Sequence, residues 1–306
     1  MRVVFAGTPA FAVPALAALL DHPRCEVVAV LTQPDRRAGR GRKLRPGPVK
    51  QVAEAAGIAV FQPERLSGRH APSALLARDI DLLVTAAYGL LLPSRVLDWP
   101  ALGCWNLHAS LLPRWRGASP IQQAILAGDR YGGISLMKMD TGLDTGPVIL
   151  QSPLAIEDEE TAGELHDRLA ALAASLLRAA IDRLDAGTLP VGAAQDDRLA
   201  THAPLIRRED AWLDWRAPAD SLARRVRAFH PWPVAFGEIE ETTFRIHRAR
   251  AADGSAQPGV LIGGAGRDVV AVGCGQGVLE IRELQAPGRR RVSARDWWNA
   301  RSAGSQ

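Results

Sequence analysis

The chain has 306 residues, a formal net charge of +4 and a hydrophobic fraction of 47%. This length suits two domains better than one, and the composition is that of a globular protein with a sizeable core. No run of about 18 apolar residues occurs, so no transmembrane helix is predicted, and MRVVFAGTP does not have the pattern of a signal peptide. Three widely separated cysteines exclude a disulfide framework, and we expect a cytoplasmic protein.

Apolar runs alternate with helical patterns along the first part of the chain. Strands are predicted at residues 2–6, 25–31, 57–61, 81–87, 103–108, 134–139 and 148–152. Helices are predicted up to about residue 20 and at 49–56, 71–79, 118–127 and 160–186, the last with a candidate capping box formed by Thr161 and Glu164. Because the strands are apolar on both faces, the pattern predicts an α/β domain with a Rossmann-like parallel sheet and flanking helices.

The pattern changes after Gly187. Residues 190–207 are polar and irregular, and we interpret them as a linker between domains at 1–189 and 208–306. The second domain has a predicted helix at 218–229 and short strands at 234–239, 243–249, 268–272 and 278–284, separated by Gly, Pro and Asp. Short strands with this spacing are typical of a small β-barrel, which we expect to be OB-like.

A polar trio follows the strand predicted at 103–108. Asn106 and His108 are two positions apart, so both side chains point to the same face, at the sheet edge where open α/β folds bind ligands. Asp144 lies in the Gly-rich turn DTGLDTG. Such a trio suits acyl transfer: N–H groups of Asn106 and protonated His108 would bind an oxyanion, and Asp144 would favour the imidazolium and relay a proton.

Other interpretations of the trio remain open on these residues alone. A histidine at a strand end is often a structural hydrogen-bonding residue, and an aspartate in a Gly-rich turn is often a turn residue. One histidine and one aspartate are too few ligands for a metal site, so no metal is expected. The absence of a G-x-S-x-G motif disfavours a serine hydrolase.

Several motifs together identify a family. The chain contains FAGTPAFAVPAL at 5–16, QPDRRAGRGRKLRPGPVK at 33–50, AAYGLLLP at 86–93, NLHASLLPRWRGASPIQ followed by MDTGLDTG, and AFHPWP at 228–233. In this order they resemble the folate-dependent formyltransferases over nearly the whole chain. The resemblance implies that 1–189 is the catalytic domain, that Asn106, His108 and Asp144 are catalytic, and that 10-formyltetrahydrofolate donates the formyl group as a co-substrate.

The resemblance also implies where the folate binds. Its pterin would lie between the segment 88–93 and the loop 139–144, with contacts from Tyr88, Gly89, Leu90, Leu91, Leu92, Pro93, Asp140 and Gly142. The leucines would form an apolar wall, and backbone groups at a strand end would bind the pterin edge. Without the resemblance, a core strand followed by the start of a helix is the better interpretation of AAYGLLLP.

A cluster of cations follows the second predicted strand. It consists of Arg36, Arg37, Arg40, Arg42, Lys43, Arg45 and Lys50, in a segment rich in Gly and Pro that we expect to be irregular. A charge run is often only a solvated face, whereas seven cations with no carboxylate among them also suit a polyphosphate backbone. The resemblance implies that this segment contacts the acceptor stem of initiator methionyl-tRNA, although the family pattern leads us to expect proline where Arg37 stands.

The second domain carries further basic residues. They are Arg207, Arg208, Arg224, Arg225, Arg227 and Arg289 to Arg291, and by resemblance this domain would hold the tRNA. The four tryptophans Trp215, Trp232, Trp297 and Trp298 suit base stacking, but core packing accounts for most of them better.

The alternatives to a formyltransferase that acts on tRNA are a formyltransferase for a nucleotide-sugar amine, a hydrolase of the formyl donor, and an RNA-binding protein on a degenerate catalytic fold. No exposed apolar stripe predicts a dimer, so we expect a monomer.

Overall fold

The computed structural model describes residues 1–38, 43–67, 72–262 and 268–303. It divides into two compact units that are not continuous in sequence. The first comprises Met1–Pro120, Gly132–Ala155 and His166–Ala203, and the second comprises Ile121–Tyr131, Ile156–Leu165 and Pro204–Gln306. Within the described ranges, no helix is long and apolar enough to cross a membrane.

Eleven strands and six helices lie in the chain up to residue 203, counted over the described residues. The strands are β1 (Arg2–Gly7), β2 (Glu26–Leu31), β3 (Arg36–Ala38), β4 (Lys43–Arg45), β5 (Val60–Phe61), β6 (Leu82–Ala86), β7 (Cys104–His108), β8 (Arg116–Gly117), β9 (Tyr131–Lys138), β10 (Val148–Ala155) and β11 (His202–Ala203). The helices are α1 (Val13–Leu20), α2 (Pro48–Ala55), α3 (Ser73–Leu76), α4 (Ser94–Leu97), α5 (Pro120–Ala127) and α6 (Ala162–Asp185).

Seven of these strands form one sheet in the order β10-β9-β7-β6-β1-β2-β5. Strands β5, β2, β1, β6 and β7 are parallel, as predicted, and the central strand β1 is buried on both faces. The predicted α/β class with a Rossmann-like sheet is confirmed, and the sheet is mixed because β9 pairs antiparallel to β7. Strand β9 is also buried along most of its length, so its composition does not reveal its direction.

The basic segment after β2 was predicted to be irregular, but its described residues 36–38 and 43–45 form a strand pair. Strands β3 and β4 form an antiparallel pair in which Arg36 lies opposite Arg45 and Arg37 opposite Leu44. Leu44 is 65% exposed. Arg36, Leu44 and Arg45 of this pair are exposed, and strands with exposed residues need no alternation of apolar and polar residues, so the strand signal was missing from the sequence.

The part of the chain after residue 204 forms an antiparallel half-barrel, which confirms the predicted class of β domain. Its elements are α7 (Ala219–Ala228), β12 (Ala235–Ile239), β13 (Thr242–Ala252), β14 (Leu261–Ile262), β15 (Val270–Gly273), β16 (Val278–Gln285), β17 (Val292–Ser293) and α8 (Ala294–Ala303). The strand order is β12-β13-β16-β15-β14, and β17 pairs with β16. Trp215 is buried in this core and donates its indole N–H to the Glu238 carbonyl, while Trp297 and Trp298 pack against it.

The predicted capping box at the start of α6 is confirmed. The Glu164 carboxylate accepts from the Thr161 backbone N–H at 2.9 Å, and the Glu164 N–H donates to the Thr161 hydroxyl at 3.3 Å. The hydrogen bond from the Thr161 backbone, with help from Arg248, lowers the pKa of Glu164 to about 2. The box therefore satisfies two backbone N–H groups that would otherwise lack partners at the helix start.

We expect Thr161→Ala to lower the free energy of unfolding by about 1 kcal/mol at neutral pH, because the helix start loses its cap. Urea unfolding measures this change, and Ser175→Ala on the exposed face of the same helix is the control. A folded-state pKa below the unfolded value means that the Glu164 contribution is present above about pH 4.5 and is lost toward pH 2. The difference between Thr161→Ala and the unaltered chain should therefore shrink on acidification, and a constant difference would contradict the box.

Candidate functional site

Asn106 is held in a fixed orientation near the end of β7. It lies beside Thr85 of β6 in the parallel register, and the Thr85 hydroxyl donates to Asn106 Oδ1 at 2.8 Å. Asn106 Nδ2 donates to Asp144 Oδ1 at 3.3 Å. Because the oxygen is engaged by Thr85 and only one hydrogen of the amide nitrogen is directed at Asp144, the second N–H of Asn106 is available to another acceptor.

His108, the last residue of β7, is buried between two acceptors. Its Nε2 lies 2.8 Å from the Trp115 carbonyl oxygen, and its Nδ1 lies 3.5 Å from Asp144 Oδ2. A carbonyl oxygen only accepts, so Nε2 carries a hydrogen, and Nδ1 can donate to the carboxylate only in the imidazolium form. At 3.5 Å the Nδ1 contact is an ion-pair distance rather than a hydrogen bond, which leaves Nδ1 able to turn toward a bound molecule.

Asp144 completes the trio, and the structure brings all three predicted residues together. Its backbone has a φ of 54°, in the left-handed region, and the Gly117 backbone N–H donates to its Oδ2 at 2.9 Å. The loop approaches β9 closely, since a Cβ at Gly146 would lie 1.9 Å from the Lys138 carbonyl oxygen. Glycine is required at position 146 for this approach.

The arrangement can stabilise negative charge on an oxygen and hold a proton beside it. Asn106 supplies an N–H that no other described residue uses, whereas both ring nitrogens of His108 already face protein acceptors. The sequence argument gave the two side chains equal roles as oxyanion donors. Among the described residues, the geometry leaves one N–H of Asn106 unused, whereas His108 lies between the Trp115 carbonyl and the Asp144 carboxylate.

The residues predicted for the pterin divide into buried and exposed ones. Tyr88 and Leu92 belong to a core cluster against which both Leu90 and Met139 pack, so the segment 88–93 and the start of the loop 139–144 border the same cluster. Leu91 is 84% exposed, and Gly89 has a φ of 79°. Leu91 therefore has a side chain free for contact, while Tyr88 and Leu92 shape the wall from behind.

The loop 139–144 is closed by its own side chains. Asp140 Oδ1 accepts from the Gly142 N–H at 3.0 Å and from the Thr145 hydroxyl at 2.7 Å. Gly142 tolerates no side chain here, since a Cβ would lie 2.0 Å from that hydroxyl oxygen. Asp140 and Gly142 thus define the turn, and Leu143 is left 59% exposed between them and Asp144.

The predicted basic residues are not equivalent in the structure. Arg36 and Arg45 are exposed on the β3–β4 pair, while Arg40 and Arg42 lie outside the described residues. Arg37 and Lys43 occupy β3 and β4. Lys50 is different, because its ammonium contacts Asp35 at 2.7 Å and Gln62 at 2.9 Å and its side chain is only 17% exposed. The charge of Lys50 is already paired within the protein.

Five residues of the site were missed by the sequence argument. Thr85, Trp115 and Gly117 contact the trio directly, and Arg116 and Gln195 connect the loop of Asp144 to β8. Trp115 to Gly117 lie inside a motif that was recognised, but they act mainly through backbone groups, which sequence patterns do not reveal. Gln195 lies in the segment interpreted as a linker, and no sequence signal distinguishes it.

Thiol and metal chemistry find no support among the described residues. No group of three or more His, Cys, Asp or Glu side chains in those ranges could hold a metal ion. Cys104 begins β7, and burial raises its pKa to about 12. A thiol with this pKa stays protonated near neutral pH and is a poor nucleophile.

Comparison with known proteins places this geometry in a family. The model "Formyl transferase" matches residues 1–181, and "Formyl transferase, C-terminal domain" matches residues 205–302. The chain is 52% identical to the methionyl-tRNA formyltransferase of Xanthomonas euvesicatoria pv. vesicatoria over 303 residues, 98% of each chain. These matches span both compact units.

Solved structures share the fold at low identity. An N-formyltransferase from Helicobacter canadensis, in complex with folinic acid and dTDP-3-aminofucose, matches with a TM-score of 0.69 and 15% identity over 95% of this chain and 100% of that one. The methionyl-tRNA formyltransferase from Clostridium thermocellum matches with a TM-score of 0.55 and 15% identity over 92% and 98% of the two chains. From the family models and the full-length relative, the chain belongs to the formyl transferase family, among the methionyl-tRNA formyltransferases.

Proposed function

We propose that this chain transfers the formyl group of 10-formyltetrahydrofolate to the α-amino group of methionyl initiator tRNA. The observation that carries the proposal is the meeting of Asn106, His108 and Asp144 at one sheet edge, in a chain that is 52% identical to a methionyl-tRNA formyltransferase over nearly its full length. The product would be the formylmethionyl-tRNA used to initiate translation.

Asn106 would stabilise the transition state of the transfer. When the neutral amine attacks the formyl carbon, negative charge develops on the formyl oxygen, and a fixed N–H donor lowers the energy of that charge. Thr85 holds the amide of Asn106 before any substrate arrives, so no reorganisation is needed during the reaction. His108 adds a positive charge close to the same atoms.

Asp144 would accept and return the proton that moves during formyl transfer. The attacking nitrogen must lose a proton as the new C–N bond forms, and N10 of the folate must gain one as the old bond breaks. Asp144 Oδ2 lies 3.5 Å from His108 Nδ1, so a proton accepted by the carboxylate stays beside a group able to return it. The Gly117 N–H keeps the carboxylate aimed at this position.

Two observations support a planar heteroaromatic ligand beside the trio. Leu91 and Leu143 are large apolar side chains that remain exposed on the two segments assigned to the pterin. The Tyr88 hydroxyl is buried without a hydrogen-bond partner among the described residues, and burial raises its pKa, which keeps it a neutral donor. Apolar walls with a few polar groups are the usual construction of such sites.

The basic segment would contact the tRNA backbone. Arg36 and Arg45 lie opposite each other on the β3–β4 pair, and like charges at directly opposed positions repel. Phosphate groups would relieve that repulsion, which is a reason to expect binding there. Lys50 would have a structural role instead, because its ion pair with Asp35 joins the two ends of the basic segment.

The activity is tested by incubating the protein with 10-formyltetrahydrofolate and charged initiator tRNA and measuring formylmethionine after release from the tRNA. We expect formylation of the initiator tRNA. Parallel reactions with a dTDP-amino sugar or with no acceptor test the two alternative activities. Formylation of the sugar, or hydrolysis of the donor without an acceptor, in place of tRNA formylation would contradict the proposal.

We expect Asn106→Ala to lower kcat by about 10²–10³-fold, the usual loss on removing one oxyanion donor. Asp144→Asn should also lose most turnover, because the amide cannot accept the proton. Steady-state kinetics with both substrates measure the changes, and Ser175→Ala is the control. Turnover within about twofold of the unaltered protein for either variant would show that the residue has no catalytic part.

We expect the triple change Arg40→Ala, Arg42→Ala and Lys43→Ala to raise KM for tRNA steeply while leaving KM for the folate unchanged. The dependence of tRNA binding on salt concentration should also weaken, because fewer counterions are released. Arg198→Ala is the matched control, since Arg198 is an exposed arginine already paired with Asp196. Equal KM values for tRNA in the triple variant and the control would refute a tRNA role for this segment.

A further inference from the structure

We propose that Gln195 is a positioning residue that fixes the loop of Asp144 and thereby sets the rate of formyl transfer. Its amide nitrogen donates to two carbonyl oxygens of that loop, that of Asp144 at 2.8 Å and that of Gly146 at 2.7 Å. The two carbonyls flank Thr145. A single side chain therefore holds the backbone on both sides of the peptide that follows Asp144.

The loop needs such a support because its backbone conformation is unfavourable. Asp144 has a φ of 54°, which costs a non-glycine residue roughly 1 kcal/mol or more. On one side the loop is limited by the close approach of Gly146 to the Lys138 carbonyl. Gln195 restrains the loop through the carbonyl groups of Asp144 and Gly146. The close approach of Gly146 and these hydrogen bonds together determine the direction of the Asp144 side chain.

Gln195 is itself held by a buried arginine. Its Oε1 accepts from Arg116 Nε at 3.0 Å, and Arg116 Nη2 donates to Asp197 Oδ1 at 2.9 Å. The Arg116 side chain is 6% exposed, whereas that of Asp197 is 84% exposed. Gln195 Oε1 thus accepts a hydrogen bond from a guanidinium that is shielded from water. Leaving that hydrogen bond unmade would cost free energy of folding.

Arg116 connects this support to the trio by its position in the chain. Its neighbour Trp115 accepts from His108 Nε2, and its neighbour Gly117 donates to Asp144 Oδ2. The backbone of residues 115–117 therefore holds His108 and Asp144, while the Arg116 side chain holds the loop of Asp144 through Gln195. A shift of about 1 Å in this assembly would misplace the carboxylate, and such a shift can cost about 10²-fold in rate.

The inference rests on the proposed function and is tested by Gln195→Glu. This change keeps the acceptor for Arg116 but replaces the N–H donor with an oxygen that repels the carbonyls of Asp144 and Gly146. We expect kcat to fall by about 10–100-fold with KM for tRNA and for folate within about twofold. Gln195→Asn, whose side chain is one methylene shorter and cannot reach both carbonyls, is the second variant. The kinetics are measured on whichever of the two variants keeps the melting temperature of the unaltered protein.

A double-variant comparison separates positioning of Asp144 from a general structural effect. In single-turnover reactions at high enzyme concentration, Gln195→Glu in the Asp144→Asn background should change the rate by less than about twofold, because the group that Gln195 positions is already disabled. If Gln195→Glu lowers the rate by the same factor in the otherwise unaltered protein and in the Asp144→Asn variant, the inference is overturned. An unchanged kcat for Gln195→Glu in the otherwise unaltered protein would overturn it as well. Ser175→Ala, on the exposed face of α6 and outside this hydrogen-bond network, is the control.

The two possible failures are distinguishable. If the unaltered protein does not formylate methionyl-tRNA, the proposed function fails. If it does so and Gln195→Glu leaves the rate unchanged, only the role of Gln195 fails.

Discussion

The site depends on a short backbone segment, residues 115–117, that holds both His108 and Asp144. The Trp115 carbonyl accepts from His108, and the Gly117 N–H donates to Asp144. One acceptor and one donor, two positions apart in the chain, orient the imidazole and the carboxylate. The segment is in turn fixed by the pairing of β8 with β11, in which Arg116 lies beside His202 and Gly117 beside Ala203.

This pairing explains why a stretch interpreted as a linker belongs to the site. A Cβ at Gly117 would lie 2.6 Å from the Ala203 carbonyl oxygen, so only glycine permits the contact between β8 and β11. The Trp115 N–H donates to the Thr201 hydroxyl at 2.9 Å. Residues 195–203 therefore support the segment that orients His108, and their irregular composition reflects contacts made through backbone and polar side chains rather than through an apolar face.

The sequence was most informative where burial leaves a pattern. The alternation of strands and helices, the trio at the end of β7 and the class of the second β domain were all predicted, because core strands and turn residues have characteristic compositions. The direction of β9 and the β3–β4 pair were not, since a strand buried on both faces looks the same in either direction and an exposed ribbon needs no apolar residues. The partners of the trio were missed because they are mainly backbone groups or a glutamine distant in sequence.

The roles within the trio follow from a difference in hydrogen-bonding capacity that no motif expresses. An amide nitrogen has two hydrogens, and Asn106 directs only one of them at Asp144, whereas each imidazole nitrogen has at most one and both face protein acceptors. Asn106 therefore keeps a donor for the substrate at no cost to the site, while His108 must give up its contact with Asp144 to do the same. In the proposed reaction, that asymmetry would place the oxyanion nearer to Asn106 and the migrating proton nearer to the pair of His108 and Asp144.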